Sequence, residues 1–336
     1  MSEEGGRRAV VAALGANLGI TVAKLAAALL TGSASMFAET LHSLADSCNE
    51  LLLLIGRHRS ERERTAEHPF GFGRERYLYA FVVAVMLFTV GGVLSGYEGV
   101  QRIIHPGRVS NPVIDFVVLI VGMGLEGFSL RTAVINARAG RDGQSWWTFI
   151  RRAKAPELPV VLLEDTAALT GLVVALIGVT LAVITGNDAW DGAGSLVIGV
   201  LLGCVAVVLA GEMKSLLIGE SASTSAQQAI VAALEEGPEV ERVIHLRTVH
   251  IDPESLLVAA KIAIPPSSTA VQIVAGINAA ERRVRTAVPE AEVIYLEPDI
   301  YRADLADAAD PSVRAAHRAP PGPPGPAAPA RPADPG

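Results

Sequence analysis

Charge is scarce in this chain of 336 residues. Only 19% of positions are Asp, Glu, Lys or Arg, half are hydrophobic, and the mean hydropathy is +0.39. That balance excludes an ordinary soluble globule, in which about a quarter of residues carry charge. Cysteine is nearly missing as well. Cys48 and Cys204 both fall in long apolar runs without the spacing of a thiolate metal site, so they are expected to pack rather than bind or cross-link. The formal net charge of −7 says little, because acidic residues gather in the later part of the chain while the loops between apolar runs are basic, and no nucleic-acid partner is expected. No nucleophile sits beside a base at the spacing covalent catalysis needs, which argues against an intramembrane enzyme.

What is present is apolar length. Six runs exceed the roughly 18 residues that a bilayer requires: Ala9 to Leu30, Ser35 to Ile55, Tyr77 to Tyr97, Pro112 to Ile135, Leu158 to Ile184 and Asp191 to Ala210. The first follows Arg7 and Arg8, is too long for a signal-peptide core and lacks a small-residue cleavage site, so it is read as retained. Placing the N-terminus in the cytoplasm puts Arg57, Arg59, Arg62, Arg64, Arg74, Arg76, Arg138, Arg141, Arg151, Arg152 and Lys154 inside and leaves Arg102 and Arg108 outside. The expectation is an all-α six-helix transmembrane bundle over residues 1–212, with both termini cytoplasmic.

After Ser223 the periodicity becomes that of a small soluble domain. A helix near Ser225 to Glu236, strands at Val240 to Ile251 and Leu256 to Ile264, a helix over Thr269 to Val288 and a strand at Glu292 to Glu297 give αββαβ, an open sheet with both helices on one face (residues 213–301). Asp252-Pro253-Glu254-Ser255 is the turn between the first two strands. From Ala303 to Gly336 the chain is rich in Ala, Pro and Gly, with nine of its twenty prolines after Asp310, and is expected to be a disordered tail.

The second run carries polar residues where lipid should be. Glu39, His42, Asp46 and Asn49 are spaced three, four and three apart, and on a helix they occupy an arc of roughly 80°. Ionisable groups in hydrocarbon cost several kcal/mol and mark ion or proton pathways. The imidazole and carboxylate of His42-x-x-x-Asp46 lie one turn apart, as two ligands of one divalent metal do. The fifth run adds Glu164 and Asp165 shortly after Pro159, and since neighbours on a helix point about 100° apart, one of the two should lead. A tetrahedral N/O set of this kind suits zinc, and also manganese, iron or cobalt. On the first run Asn17 and Lys24 share a face, with Lys24 expected to neutralise a carboxylate in the bundle. Glu126 in the fourth, near Ser129 and Arg131, is a candidate for the proton route or for a pair with Arg131.

Six spans with both ends inside, HxxxD in the second, the loop His68-Pro-Phe-Gly-Phe-Gly-Arg-Glu-Arg-Tyr and the αββαβ domain together resemble the cation diffusion facilitator family of metal/proton antiporters. The run Leu-Leu-Glu-Asp-Thr-Ala-Ala is similar to the branch related to human zinc transporter nine. By that resemblance His42 and Asp46 form half of the metal site, and Asp165 fills the later of two fifth-span positions. The earlier falls on Val161, which cannot ligate, so Glu164 is the candidate fourth ligand, with water or Glu39 as substitutes and Val161→His as the change that would restore the commoner pattern. Glu39, Asn49 and Glu126 are then supporting or proton-path groups.

The resemblance further implies a homodimer in a lipid bilayer, of a bacterial plasma membrane, with no prosthetic group, exporting a divalent metal, zinc first, in exchange for protons. A neutral imidazole is needed to ligate, so at His42 metal and proton compete for one nitrogen. The rivals are a manganese, iron or cobalt exporter and a non-transporting regulatory or scaffold homologue. A loop site seen in some members is expected to be absent, since Phe72 replaces its later His. A site in the soluble domain, from His245, His250, Asp252, Glu297 and Asp299, is weakened because His245 and His250 should face opposite sides of their strand.

Overall fold

A computed structural model describes residues 18–105, 112–141 and 143–302. The chain divides into two compact units, Met1–Ile218 and Gly219–Gly336. In the first, helix α1 covers Leu18–Thr31, and Gly32, at φ +69°, turns the chain into α2, Ala34–Ser60. Ser33 caps α2 by accepting from the Met36 amide at 3.2 Å. Helix α3 runs Glu75–Ile104 and contains a π-helical segment, Leu87–Leu94. Then come α4 (Pro112–Gly140), a short α5 (Trp146–Arg152) that composition alone does not reveal, α6 (Glu157–Thr185) and α7 (Ala189–Ile218).

Four of these helices, α3, α4, α6 and α7, are long and apolar enough to cross a membrane. Their outward residues are large and apolar, Val113, Phe128, Ile184 and Val207 among them. Threonines on these faces return their hydroxyls to their own helix. Thr166 donates to the Leu162 carbonyl and Thr180 to the Leu176 carbonyl, so no polar group is left facing hydrocarbon there. Helix α2 is as long but carries the polar stripe, and the Asn17 end of the first run lies outside the described residues.

Glycine sets how closely helices approach. A Cβ at Gly99 of α3 would stand 2.8 Å from the Gly192 carbonyl oxygen of α7, and one at Gly199 of α7 would stand 2.8 Å from that of Gly92. Backbone meets backbone along this seam. At one end of the unit the α1–α2 turn is tied down: Thr31 donates to Asp115 at 2.8 Å, Ser33 to Asp191 at 2.9 Å, and the Arg102 guanidinium to the Gly32 carbonyl.

The second unit is α8 (Thr224–Glu235), β1 (Arg242–His250), β2 (Leu256–Ala263), α9 (Ala270–Ala287) and β3 (Ala291–Asp299), in the αββαβ order. The sheet order is β1-β2-β3, antiparallel then parallel, with a bulge at Val243/His245. Ile230 and Leu234 of α8 and Ala280 and Val284 of α9 close on Val243, Leu246, Val258 and Ile294. Both helices therefore cover one face. Ser223 caps α8, and Thr269 with Gln272 forms a reciprocal capping box on α9. The tail after Arg302 lies outside the described residues.

Candidate metal site

Helix α2 turns the stripe inward. Glu39, His42 and Asn49 are buried and Asp46 is partly so. His42 Nδ1 and Asp46 Oδ1 are 3.6 Å apart, too far to hydrogen-bond. Two ligands held at 2.0–2.1 Å by a tetrahedral ion stand about 3.3 Å from each other, so the pair is spaced as ligands are rather than as a bonded dyad. Both ring nitrogens of His42 lack a hydrogen-bond partner, and so do Asp46 Oδ1, Asn49 Oδ1 and Glu39 Oε1. Buried polar atoms are satisfied in more than about nine cases of ten. Such a run of exceptions on one helix face leaves polar atoms available to a ligand.

Across the bundle, α6 separates its two carboxylates. Glu164 is buried against α2, where Asn49 Nδ2 donates to its Oε1 and the Asp46 carboxyl lies within hydrogen-bonding reach. Asp165 turns to α4 and accepts from Ser129 at 2.9 Å. Val161, one turn before Asp165 on the same side, packs with Leu130, Val134, Trp146 and Phe149 around Ala133, Ala137 and Leu162. Glu126 of α4 is close enough to Glu39, Asp46 and Asp165 for their charges to interact. Glu50 acts likewise on Glu164 and Asp165.

Thus the structure brings Asp46, Asn49 and Glu164 together, keeps His42 one turn from Asp46, and holds Asp165 on Ser129. Among the described residues no three His, Cys, Asp or Glu side chains surround a single point closely enough to hold a metal. Lys24 does pair with a bundle carboxylate, Glu39, at 3.3 Å, and also donates to Ser43 at 2.6 Å. The sequence reading does not single out Ser43 and Glu50, although both are legible by spacing, four residues after Glu39 and Asp46, and it names Ser129 only as a neighbour of Glu126, because its bond to Asp165 depends on helix rotation.

The remaining candidates lie elsewhere. In the loop after α2, His68 stacks on Phe72 at 4.6 Å and the Arg62 guanidinium covers Phe72 at 4.5 Å. In the second unit His245 is exposed and His250 buried, on opposite sides of β1 as their spacing requires. Glu297 and Asp299 are engaged by Lys261 at 3.1 and 3.2 Å. Their hydrogen bonds raise the ammonium, while the Ile300 amide and then Lys261 hold the Asp299 carboxyl below its ordinary range.

The family model described as the cation efflux transmembrane domain matches residues 10–218. Human mitochondrial proton-coupled zinc antiporter SLC30A9 is 37% identical over 224 residues, 66% of this chain and 39% of the human protein. Metal tolerance protein C4 of Arabidopsis thaliana is 30% identical over 264 residues, 78% of this chain and 58% of that protein. The magnetosome protein MamM of Paramagnetospirillum magneticum is 35% identical over 81 residues, 24% of this chain and 26% of its own. The chain therefore spans only part of the length of these relatives.

Proposed function

Because the chain belongs to the cation efflux family, the cation diffusion facilitators, whose members are multi-pass secondary transporters rather than enzymes, we propose that it exports zinc from the cytoplasm in exchange for protons. The carrying observation is the set of unbonded atoms on His42 and at Asp46 Oδ1, with Glu164 within hydrogen-bonding reach of the Asp46 carboxyl. In this reading α1 and α2 complete a six-span bundle with the four apolar helices. His42 and Asp46 supply one half-site, Glu164 the facing carboxylate, and Asp165 a fourth oxygen that reaches the ion when its Ser129 bond opens. Asn49 orients Glu164, and such supporting groups are typically worth 10–100-fold in metal affinity. Export follows by alternating access, in which the ion binds one conformation from inside and protons replace it in the other. The bilayer is the solvent, and the family resemblance supports a homodimer.

The zinc assignment draws on the similarity to the human zinc antiporter and on the nitrogen donor. A manganese, iron or cobalt exporter is the second reading. It is favoured by Val161, whose place in an apolar cluster leaves one nitrogen among three carboxylates, a harder donor set than two histidines would give.

The test is metal uptake into inverted vesicles with zinc, manganese, iron and cobalt supplied in turn. His42→Ala and Asp46→Ala should each abolish uptake, and the coupled proton movement with it, while the purified variants keep the parent's elution profile. Full activity in either variant would sink the half-site.

A further inference from the structure

Lys24 is not used by that reading. Its side chain is wholly buried in α1, with Nζ 2.6 Å from Ser43 Oγ and 3.3 Å from Glu39 Oε2, and Glu39 is equally buried. Gly171 of α6 makes room for the carboxylate, since a Cβ there would stand 2.6 Å from Glu39 Oε1, and Gly122 of α4 lies beside the lysine, where a Cβ would meet Lys24 Cε at an ordinary 3.7 Å. Four helices thus close around one ion pair. Burying two charges costs several kcal/mol each, and apolar residues of like volume generally hold helices together as well or better. Cohesion alone does not explain the pair.

Its position does. Glu39 and Ser43 bracket His42 on α2, and the Lys24 charge acts on Glu39, His42, Asp46 and Glu126. Glu39 still has an unbonded buried oxygen, Oε1, one turn from His42. With Lys24 removed, that carboxylate becomes a further donor for any cation at His42 and Asp46. We propose that Lys24 is a tethered cation that occupies Glu39, keeps it out of the metal's coordination sphere, and so weakens metal binding enough for rapid release. The ammonium also repels the bound ion through a few ångströms of low-dielectric interior. Lys24 is a positioning residue in this scheme, and the inference rests on the His42/Asp46 half-site.

The experiment is calorimetric titration of the full-length purified chain with zinc alone, beside zinc uptake kinetics. Lys24→Gln should bind zinc roughly ten- to a hundredfold more tightly, the range expected for removing one unit charge several ångströms away. KM and kcat should fall together, because release slows. Lys24→Arg should stay near the parent. Glu39→Gln should bind more weakly by a similar factor, since the ammonium loses its partner, and Lys24→Gln/Glu39→Gln should return toward the parent. A structural role would instead lower kcat at unchanged affinity. Unchanged zinc affinity in folded Lys24→Gln overturns the proposal. If that variant does not fold, unchanged affinity in Glu39→Gln does so. His42→Ala, titrated alongside, separates the two levels: loss of binding upholds the half-site whatever Lys24 does, and parental binding there removes the half-site and this inference together.

Discussion

Glu164 and Asp165 are neighbours, yet they look into different parts of the bundle. Glu164 meets Asn49 and Asp46, while Asp165 meets Ser129, and Val161 follows Asp165 toward α4. Sequence reasoning recognised that one carboxylate must lead and could not say which, because the rotation of α6 is set by packing against α2 and α4. The resemblance favours Asp165, whereas in the structure it is Glu164 that lies within hydrogen-bonding reach of Asp46. Glu164→Gln should therefore weaken zinc binding on the order of 100-fold and Asp165→Asn about 10-fold, in the range seen when groups around a metal are altered. Competitive titration against a chelating dye measures both, and equal losses would refute the order. Val161→His should leave metal preference unchanged and lower stability by about 1–3 kcal/mol, since it buries an imidazole among Leu130, Val134 and Phe149. A changed preference in uptake assays would show that Val161 faces the ion. By contrast, the stripe and the pairing of Lys24 were legible, because a single helical face and a lone buried cation leave few alternatives.

At the scale of elements, hydropathy located the four apolar helices but neither all of their ends, since α3 and α7 run on past Tyr97 and Ala210 to Ile104 and Ile218, nor their internal geometry. Helix α3 was expected over Tyr77 to Tyr97 and extends over Glu75–Ile104, with its π-helical segment at Leu87–Leu94. Nothing in Leu-Phe-Thr-Val-Gly-Gly-Val-Leu separates i→i+5 from i→i+4 bonding, and the segment packs its Gly91 and Gly92 against Leu202 and Gly203 of α7. The seam there is selective. Gly199 of α7 has no space for a side chain against Gly92 and Gly96, whereas Gly124 and Gly127 of α4 have nothing within 4 Å of an added Cβ. Gly199→Val should cost more than about 3 kcal/mol and lower the melting temperature sharply. Gly124→Val should stay within about 1 kcal/mol, given relief of glycine's helix penalty. Thermal melting of the detergent-solubilised proteins reads both. Similar melting of the two variants would show that the α3–α7 approach is not the constraint.

At the scale of the whole molecule, the second unit has a core that closes on itself, from Ala222 and Ile230 through Leu256 to Ile294. Its chain start is pinned inside the unit, with the His250 amide bonded to the Glu220 carbonyl and the Ala222 amide to Thr248. The alternating and helical periods of this stretch were plain in sequence because each strand has one covered face. The tie that joins its two helices was not. Arg283 of α9 donates to the Ala233 and Leu234 carbonyls at the end of α8, at 2.8 and 3.3 Å, and pairs with Glu239 at 2.6 Å. Residues 219–302 alone should therefore fold and unfold cooperatively in urea, and Arg283→Met should cost about 2 kcal/mol at pH 7.

Part of that loss depends on pH. Burial pushes the Glu239 carboxyl up, but a backbone hydrogen bond and Arg283 outweigh it and hold the group below the ordinary carboxylate range. A carboxylate lowered in the folded state stabilises fully above its unfolded value, near 4.5, and loses that contribution as pH falls through its folded value. The helix-end carbonyls do not titrate. The Arg283→Met deficit should accordingly shrink to about 1 kcal/mol near pH 3 without vanishing, the difference being what a partly exposed ion pair is worth. Glu290, which burial raises, works in the opposite sense in parent and variant alike and cancels in the comparison. A deficit that stays constant from pH 7 to 3 would assign the whole effect to the carbonyls, and one that disappears would assign it to Glu239.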